Sequence, residues 1–293
     1  MQPSNPKSVL GRDLEVLNQA TSLVFKEIED GPNLKAHLFL PENAATDTPR
    51  AAVLFFCGSG WDQGRVTQFA PQALHFAGRG CVSALVEYRL SSTHPGTTPL
   101  SAMQDARSAV RWIRHHADQL RVDPQRVVAV GSLAGANIAA AAGMNNGVPD
   151  DDTDPPLSAR PDAVVLYSPL IEVIRNGYGA AQFADASRMK HACLHDHLES
   201  GLPPTFIMHG TRDRLTPFEL VEKFVKRSRK LGNVCELESF DGREHSFFNL
   251  NVDFDLYQYC VSLIDRFLVD QGILDEPEDD LYDAEEETVR LID

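Results

Sequence analysis

The sequence predicts an α/β fold: a mostly parallel central sheet with helices on both faces and a small cap segment. The first observation is a series of short apolar runs that alternate with helical segments, and the second is a β-hairpin pattern before them. The third is composition, since 43% of the 293 residues are apolar, which is ample for one large core. Strands that are apolar on both faces are what a helix-covered parallel sheet requires. The runs are 51–57, 82–87, 127–130, 163–167, 205–209 and, more weakly, 234–240.

The elements can be read in chain order. Two β-like runs, 23–28 and 34–40, flank the turn signal Asp30-Gly31-Pro32-Asn33, which predicts a hairpin. Apolar residues recur at helical spacing in three later segments, 100–120, 218–231 and 257–269. A hairpin followed by repeated βα units predicts ligand binding at the carboxyl ends of the parallel strands.

The spacing of these elements predicts the domain organisation. We expect a single domain over residues 1–274, with a cap insertion at about 172–203, because that stretch is longer than a crossover helix needs. Asp- and Pro-rich residues 145–162 are expected to form a surface loop. Residues 275–293 hold ten acids and one base, a composition typical of a disordered tail.

Charge and cysteine usage exclude several classes of function. The tail carries nine of the fifteen net negative charges, so the body is only mildly acidic and has no basic stripe for a nucleic acid. No apolar stretch approaches a membrane span, and no secretory signal is visible, so we expect a cytoplasmic protein. The five cysteines are scattered without a CxxC pair, which predicts neither a metal site nor a redox couple. The expected partner is a small molecule, and the oligomeric state stays open.

A strand–turn–helix motif follows the run 127–130. The segment Gly131-Ser132-Leu133-Ala134-Gly135 has the glycine spacing of a G-x-S-x-G nucleophile elbow, and a helix of small residues comes after it. Small residues flank such an elbow because its apical residue is held in a sharp turn. The apex here is Leu133, and a leucine has neither a proton to give nor a lone pair with which to attack a carbonyl.

An acid and a histidine follow the elbow in the chain. Asp213 comes directly after the strand 205–209, and His245 lies in the loop after the next strand. The order apex, acid, histidine is that of an α/β-hydrolase catalytic triad. Each residue alone has an ordinary explanation, as a helix cap or a surface histidine, but both positions together favour the triad.

The segment Cys57-Gly58-Ser59-Gly60-Trp61 follows the first strand of the parallel series. Esterases place a His-Gly-Gly-Gly loop here, whose amides bind an oxyanion with the amide after the nucleophile. Backbone donors of Gly58, Ser59 and Ala134 are therefore expected to converge. A plain glycine turn between strand and helix is the alternative.

Together these motifs resemble the carboxylesterase and acetyl-esterase branch of the α/β-hydrolases, which includes hormone-sensitive-lipase-like and acetylxylan-esterase-like enzymes. The resemblance runs from about residue 51 to 268 and includes Glu87-Tyr88-Arg89-Leu90 and Phe247-Phe248-Asn249. It implies an α/β-hydrolase fold and hydrolysis of short acyl esters without metal or cofactor. This chain departs from the pattern at Cys57, where the family has His, and at Leu133, where it has the nucleophilic serine.

The departure at Leu133 leaves several functions open. The resemblance leads us to expect an esterase-like protein that acts on or binds a small acyl-ester type ligand, with the ordinary serine mechanism impaired. A catalytically silent pseudoenzyme that binds a small molecule is one alternative. A second is a hydrolase that uses Ser132 or an activated water, although the glycine register turns Ser132 away from the apex. A third is general-base chemistry by His245 and Asp213 without a covalent intermediate.

The expected cap contains a histidine cluster that is one candidate for a metal site. His191, His195 and His197 lie close together in sequence, beside Asp196. Zinc requires three or four converging ligands, and the sequence does not show that these side chains converge. We therefore expect exposed histidines and no metal.

Overall fold

The computed structural model describes residues 9–41, 48–150 and 157–277. Its centre is an open eight-stranded sheet in the order β1-β2-β4-β3-β5-β6-β7-β8. Only β2 runs against its neighbours, and all pairs from β4 to β8 are parallel. The strands are β1 Thr21–Lys26, β2 Leu34–Phe39, β3 Arg50–Phe56, β4 Val82–Val86, β5 Val122–Ser132, β6 Ala163–Pro169, β7 Thr205–Gly210 and β8 Cys235–Phe240.

Helices cover both faces of this sheet. The described helices are α1 Val9–Leu17, α2 Ala70–Gly78, α3 Pro99–His115, α4 Ala117–Leu120, α5 Leu133–Ala142, α6 Phe218–Lys230 and α7 Phe254–Asp270. Helices α2 and α7 pack on one face through an aromatic cluster that includes Phe69, Phe76 and Phe248. Helices α3, α5 and α6 bury their apolar residues on the other face. The α/β fold with a mostly parallel sheet is therefore confirmed.

Several element boundaries differ from the sequence prediction. The predicted helix 100–120 is two helices, because His116 leaves the helical path before α4 begins, and Arg121 closes α4 in a left-handed conformation. Strand β5 begins at Val122, five residues before the apolar run, because Val122 pairs with Arg50 of β3. Helix α1 was not predicted. Helix α7 starts at Phe254, where the Asp253 side chain caps the Leu256 amide.

The segment after β6 includes residues 172–203, and their role as a cap stays a prediction. It contains three short 3₁₀ helices, Ala180–Gln182, Ala186–Ala192 and Leu194–His197. The buried side chain of Asn137 in α5 donates hydrogen bonds of 2.8 Å to the carbonyls of Leu170 and Ala192. This amide joins the helix after the elbow to the start and the middle of the cap segment.

Two predictions fall partly on residues that the structure does not describe. The predicted loop 145–162 is irregular at 145–150 and 157–162, and residues 151–156 lie outside the described residues. The predicted tail lies outside them from residue 278, so the domain boundary at 274 stays a prediction. Within the described ranges no helix is long and apolar enough to cross a membrane, and the cytoplasmic location stays a prediction.

Candidate functional site

The turn between β5 and α5 has the geometry of a nucleophile elbow. Leu133 lies at its apex with φ 53°, a left-handed backbone conformation that residues other than glycine rarely adopt. A side-chain carbon at Gly131 would overlap the backbone of Gly135, and one at Gly135 would overlap the carbonyl oxygens of Phe56 and Cys57. The two glycines are therefore required by close backbone approach. The Leu133 side chain is buried, so the turn presents an apolar group.

Asp213 and His245 form a hydrogen-bonded pair. His245 Nδ1 lies 2.7 Å from Asp213 Oδ2, and Thr216 Oγ1 donates to the same oxygen at 2.9 Å. Asp213 Oδ1 accepts the amides of Leu215 at 2.8 Å and Thr216 at 3.0 Å. Burial alone would raise the pKa of Asp213, but the hydrogen bonds from His245 and Thr216 outweigh it and lower the pKa to about 2.

This pairing fixes the chemistry of the imidazole. An ionised carboxylate can only accept, so Nδ1 of His245 bears a proton, and in the neutral imidazole Nε2 carries the lone pair. The side chain of His245 is 20% exposed, whereas that of Asp213 is fully buried. The pair can therefore take a proton from a group or water that reaches Nε2.

Residues from β6 and β7 hold the histidine loop in place. Ser168, with φ 41°, donates from Oγ to the His245 carbonyl at 3.1 Å. A side-chain carbon at Gly210 would overlap the carbonyl oxygen of Arg243, so the end of β7 touches the loop before His245. The fully buried His209 donates to the Thr216 carbonyl at 2.8 Å, and burial lowers its pKa. Sequence reasoning missed these contacts, although Thr216 stands three residues after Asp213, a spacing typical of side-chain capping.

The loop after β3 is fixed by the side chain of Gln68. Gln68 Oε1 accepts the Gly58 amide at 2.5 Å and the Ser132 hydroxyl at 3.2 Å. Its Nε2 donates at 3.3 Å to Oδ1 of Asn249, which stands four residues after His245. The Gly58 amide and the Ser132 hydroxyl are thus both directed at Gln68. Ser132 is 1% exposed and has an extended backbone conformation.

Tyr88 fixes the same loop from the other side. Its hydroxyl donates to the Cys57 carbonyl at 2.8 Å and lies 2.7 Å from Ser59 Oγ, which must be the donor of that second bond. Ser59 Oγ also accepts the Trp61 amide at 3.0 Å. Burial raises the pKa of the Cys57 thiol to about 12, so Cys57 is a packed thiol and not a nucleophile. The donor roles predicted for Gly58, Ser59 and Ala134 stay predictions.

The cap histidines have separate partners. His191 Nδ1 lies 2.7 Å from the Asn146 carbonyl, and His197 Nε2 lies 2.8 Å from the Lys190 carbonyl. His195 Nδ1 lies 3.2 Å from Arg227 Nη1. The part of the chain that the structure describes contains no group of three metal-ligating side chains.

Comparison with protein families and curated proteins finds esterase-like relatives. A family model described as BD-FAE matches residues 37–227. A probable isoprenylcysteine alpha-carbonyl methylesterase of Arabidopsis thaliana is 21% identical over 240 residues, or 74% of this chain and 49% of that protein. A carboxylesterase of Mycobacterium tuberculosis is 34% identical over 89 residues, or 30% of this chain and 27% of that protein. The chain spans about half the length of these relatives, or less.

Solved structures give a longer match. Esterase 2 of Thermogutta terrifontis, phosphoramylated by tabun, superposes with a TM-score of 0.83 at 35% identity and covers 89% of this chain and 98% of that chain. Its propionate-bound form has a TM-score of 0.83 at 34% identity with the same coverage. The butyrate-bound form has a TM-score of 0.82 at 34% identity, again over 89% and 98% of the two chains.

Proposed function

The chain belongs to the BD-FAE family, and we propose that it binds a small ligand of the acyl-ester type above Leu133 without forming an acyl-enzyme. The observation that carries this proposal is the leucine at the apex of an intact elbow. A leucine side chain cannot attack a carbonyl, and it makes the floor of the site apolar. The neighbouring Ser132 does not replace it, because its hydroxyl donates to Gln68 on the other side of the turn.

The relatives support the ligand class. Proteins similar to this chain are named as a carboxylesterase, as esterases and as a methylesterase, so an ester or its acyl part is the ligand that the shared architecture favours. The esterase of Thermogutta terrifontis has been solved with propionate and with butyrate, which favours a short acyl chain.

A second candidate function follows from the intact Asp213–His245 pair. The buried carboxylate of Asp213 lies 2.7 Å from His245 Nδ1 and orients the ring. The opposite nitrogen, Nε2, is then free to act as a base. Such a base can activate a water or remove a proton from a ligand without a covalent intermediate. This reaction would be slow compared with a serine esterase, because removal of a triad nucleophile costs about a million-fold in kcat.

Hydrolysis of 4-nitrophenyl acetate tests the role of Leu133. We expect the natural chain to stay at the background rate and Leu133→Ser to gain at least about a thousand-fold, because the base and the elbow are already in place. Adding His245→Ala to Leu133→Ser should remove the gain, whereas adding Ser132→Ala should preserve most of it.

The same variants separate the alternatives. A natural chain that hydrolyses the ester and loses this activity in Ser132→Ala would contradict the proposal. Activity that depends on His245 but not on Ser132 would establish the general-base reaction instead. No gain in a folded Leu133→Ser variant would show that the site lacks the esterase architecture that we infer.

A further inference from the structure

The cap segment packs against the loop after β3 through an aromatic contact. Trp61 is 1% exposed and has φ 64°, so a large residue occupies a left-handed position. Its ring packs edge-on against Phe183 of the cap, with the centroids 5.9 Å apart. A side-chain carbon at Gly179 would lie 2.6 Å from the Trp61 ring, so this glycine is required by both contact and its φ of 75°. These contacts therefore fix the position of the cap segment relative to the loop.

The same packing brings the hydroxyl of Tyr178 close to Gly60 in the loop. The Tyr178 oxygen lies 3.0 Å from the point where a side-chain carbon of Gly60 would stand. Asp62 Oδ1 lies 3.1 Å from the same point. The absence of a side chain at Gly60 thus makes room for a hydroxyl that comes from a different part of the chain. Gly60 follows Gly58 and Ser59, which we expect to border the ligand.

The hydroxyl of Tyr178 is a donor without a protein acceptor. Within residues 9–41, 48–150 and 157–277 no hydrogen bond from this hydroxyl is formed, whereas the hydroxyl of Tyr88, which follows β4, makes two to the loop after β3. Burial and the nearby Asp62 charge raise the pKa of Tyr178, so the group stays protonated and able to donate. The side chain of Tyr178 is half-buried, so the residue is not enclosed in the core.

We propose that Tyr178 is a ligand-binding residue of the site and that its hydroxyl donates a hydrogen bond to an uncharged oxygen acceptor, such as an ester carbonyl. This inference rests on the proposed function and adds the group that recognises the ligand. The carboxylate of Asp62 beside the same glycine disfavours an anionic ligand, because like charges repel at short range. The site therefore prefers an intact ester to the carboxylate that hydrolysis would release.

Ligand-observed NMR titration tests this proposal on the natural chain. We expect ethyl butyrate to bind with a lower Kd than butyrate at pH 7. Tyr178→Phe removes only the hydroxyl and should raise the Kd for ethyl butyrate about five- to tenfold, the loss expected for one neutral hydrogen bond. The matched control is Tyr259→Phe, which removes a hydroxyl from an exposed position on α7 and should leave the Kd unchanged.

A kinetic measurement gives an independent readout. In the Leu133→Ser background, Tyr178→Phe should raise KM for 4-nitrophenyl butyrate and leave kcat close to its value in Leu133→Ser alone, because ground-state binding is lost. A residue that only supports the fold would lower the unfolding temperature instead, so thermal unfolding of both tyrosine variants is measured alongside.

The possible outcomes distinguish the two proposals. Ethyl butyrate that binds equally well to the natural chain and to Tyr178→Phe would overturn the role of Tyr178 and leave the proposed function standing. Failure of both ethyl butyrate and butyrate to bind the natural chain would overturn both. Tighter binding of butyrate than of ethyl butyrate would overturn the preference for an uncharged acceptor.

Discussion

Leu133 holds a backbone conformation that a leucine adopts only where its surroundings leave no alternative. Backbone strain of this kind costs on the order of 1 to 3 kcal/mol and persists only when neighbouring structure determines it. The neighbours here are Gly131 and Gly135, whose backbones pass too close to other backbone atoms to carry a side chain. The shape of the elbow is therefore set by packing and does not depend on which side chain stands at its apex.

Gly135→Ala tests this packing at the level of one residue. The added methyl group would overlap the backbone carbonyl oxygens of Phe56, at the end of β3, and of Cys57, which follows it. We expect a loss of about 3 kcal/mol or more in the free energy of unfolding, measured by urea denaturation. Gly78→Ala is the control, because Gly78 ends α2 in open space and should gain about 0.5 to 1 kcal/mol. Equal stabilities of the two variants would contradict the packing argument.

Asp213 makes stability depend on pH. Its pKa is about 2 in the folded protein and about 3.9 in an unfolded chain, so its contribution is complete above pH 5 and is lost as the pH falls through 2. We expect Asp213→Asn to lose on the order of 1 to 2 kcal/mol at pH 7 relative to the natural chain, and the difference to shrink towards pH 2. Denaturant unfolding at several pH values measures it. A difference that stays constant from pH 7 to pH 2 would show that the carboxylate charge is not the cause.

At the scale of elements, a buried cluster of charges joins three parts of the fold. Asp105 in α3 is fully buried and accepts hydrogen bonds from Lys26 at the end of β1 and from Arg89 after β4. The Lys26 ammonium lies 2.8 Å and the Arg89 guanidinium 2.6 Å from the carboxylate. The loop that follows Tyr88 is thereby tied to α3 and to the edge of the sheet.

Asp105→Asn removes the charge and keeps the shape of the side chain. Two nearly buried cations would then face a neutral amide, and breaking a buried ion pair in this way costs about 3 to 5 kcal/mol. Thermal and urea unfolding measure the loss. Asp118→Asn, at an exposed position in α4, should change stability by less than about 0.5 kcal/mol. A variant of Asp105 as stable as that of Asp118 would refute the role of the cluster.

At the scale of the whole molecule, the pattern of apolar runs was enough to predict the sheet. Buried strands such as β3 and β6 are apolar on both faces, and this pattern survives without knowledge of their partners. The boundaries of strands and helices were harder to predict, because they depend on contacts between distant segments. Val122 belongs to β5 because it pairs with Arg50, a contact that local sequence does not encode.

The candidate site was predictable to the same extent. Leu133, Asp213 and His245 follow strands in an order that a motif can recognise, and the structure brings the last two within 2.7 Å of each other. Gln68 and Tyr178 were not found, because each reaches the site from a segment without a motif of its own. The contacts of these two side chains become visible only when the segments that approach each other in space are known.

The packing of the elbow also bears on the history of this chain. Replacement of a nucleophile does not relax the constraint on Gly131 and Gly135, because those positions are held by backbone overlap and not by turnover. Selection for stability alone would therefore preserve an esterase-shaped turn over many generations without catalysis. Under the proposed function, Leu133→Ser is the one substitution that would return a nucleophile to this turn, so the constraint on its glycines keeps that reversion open in evolution.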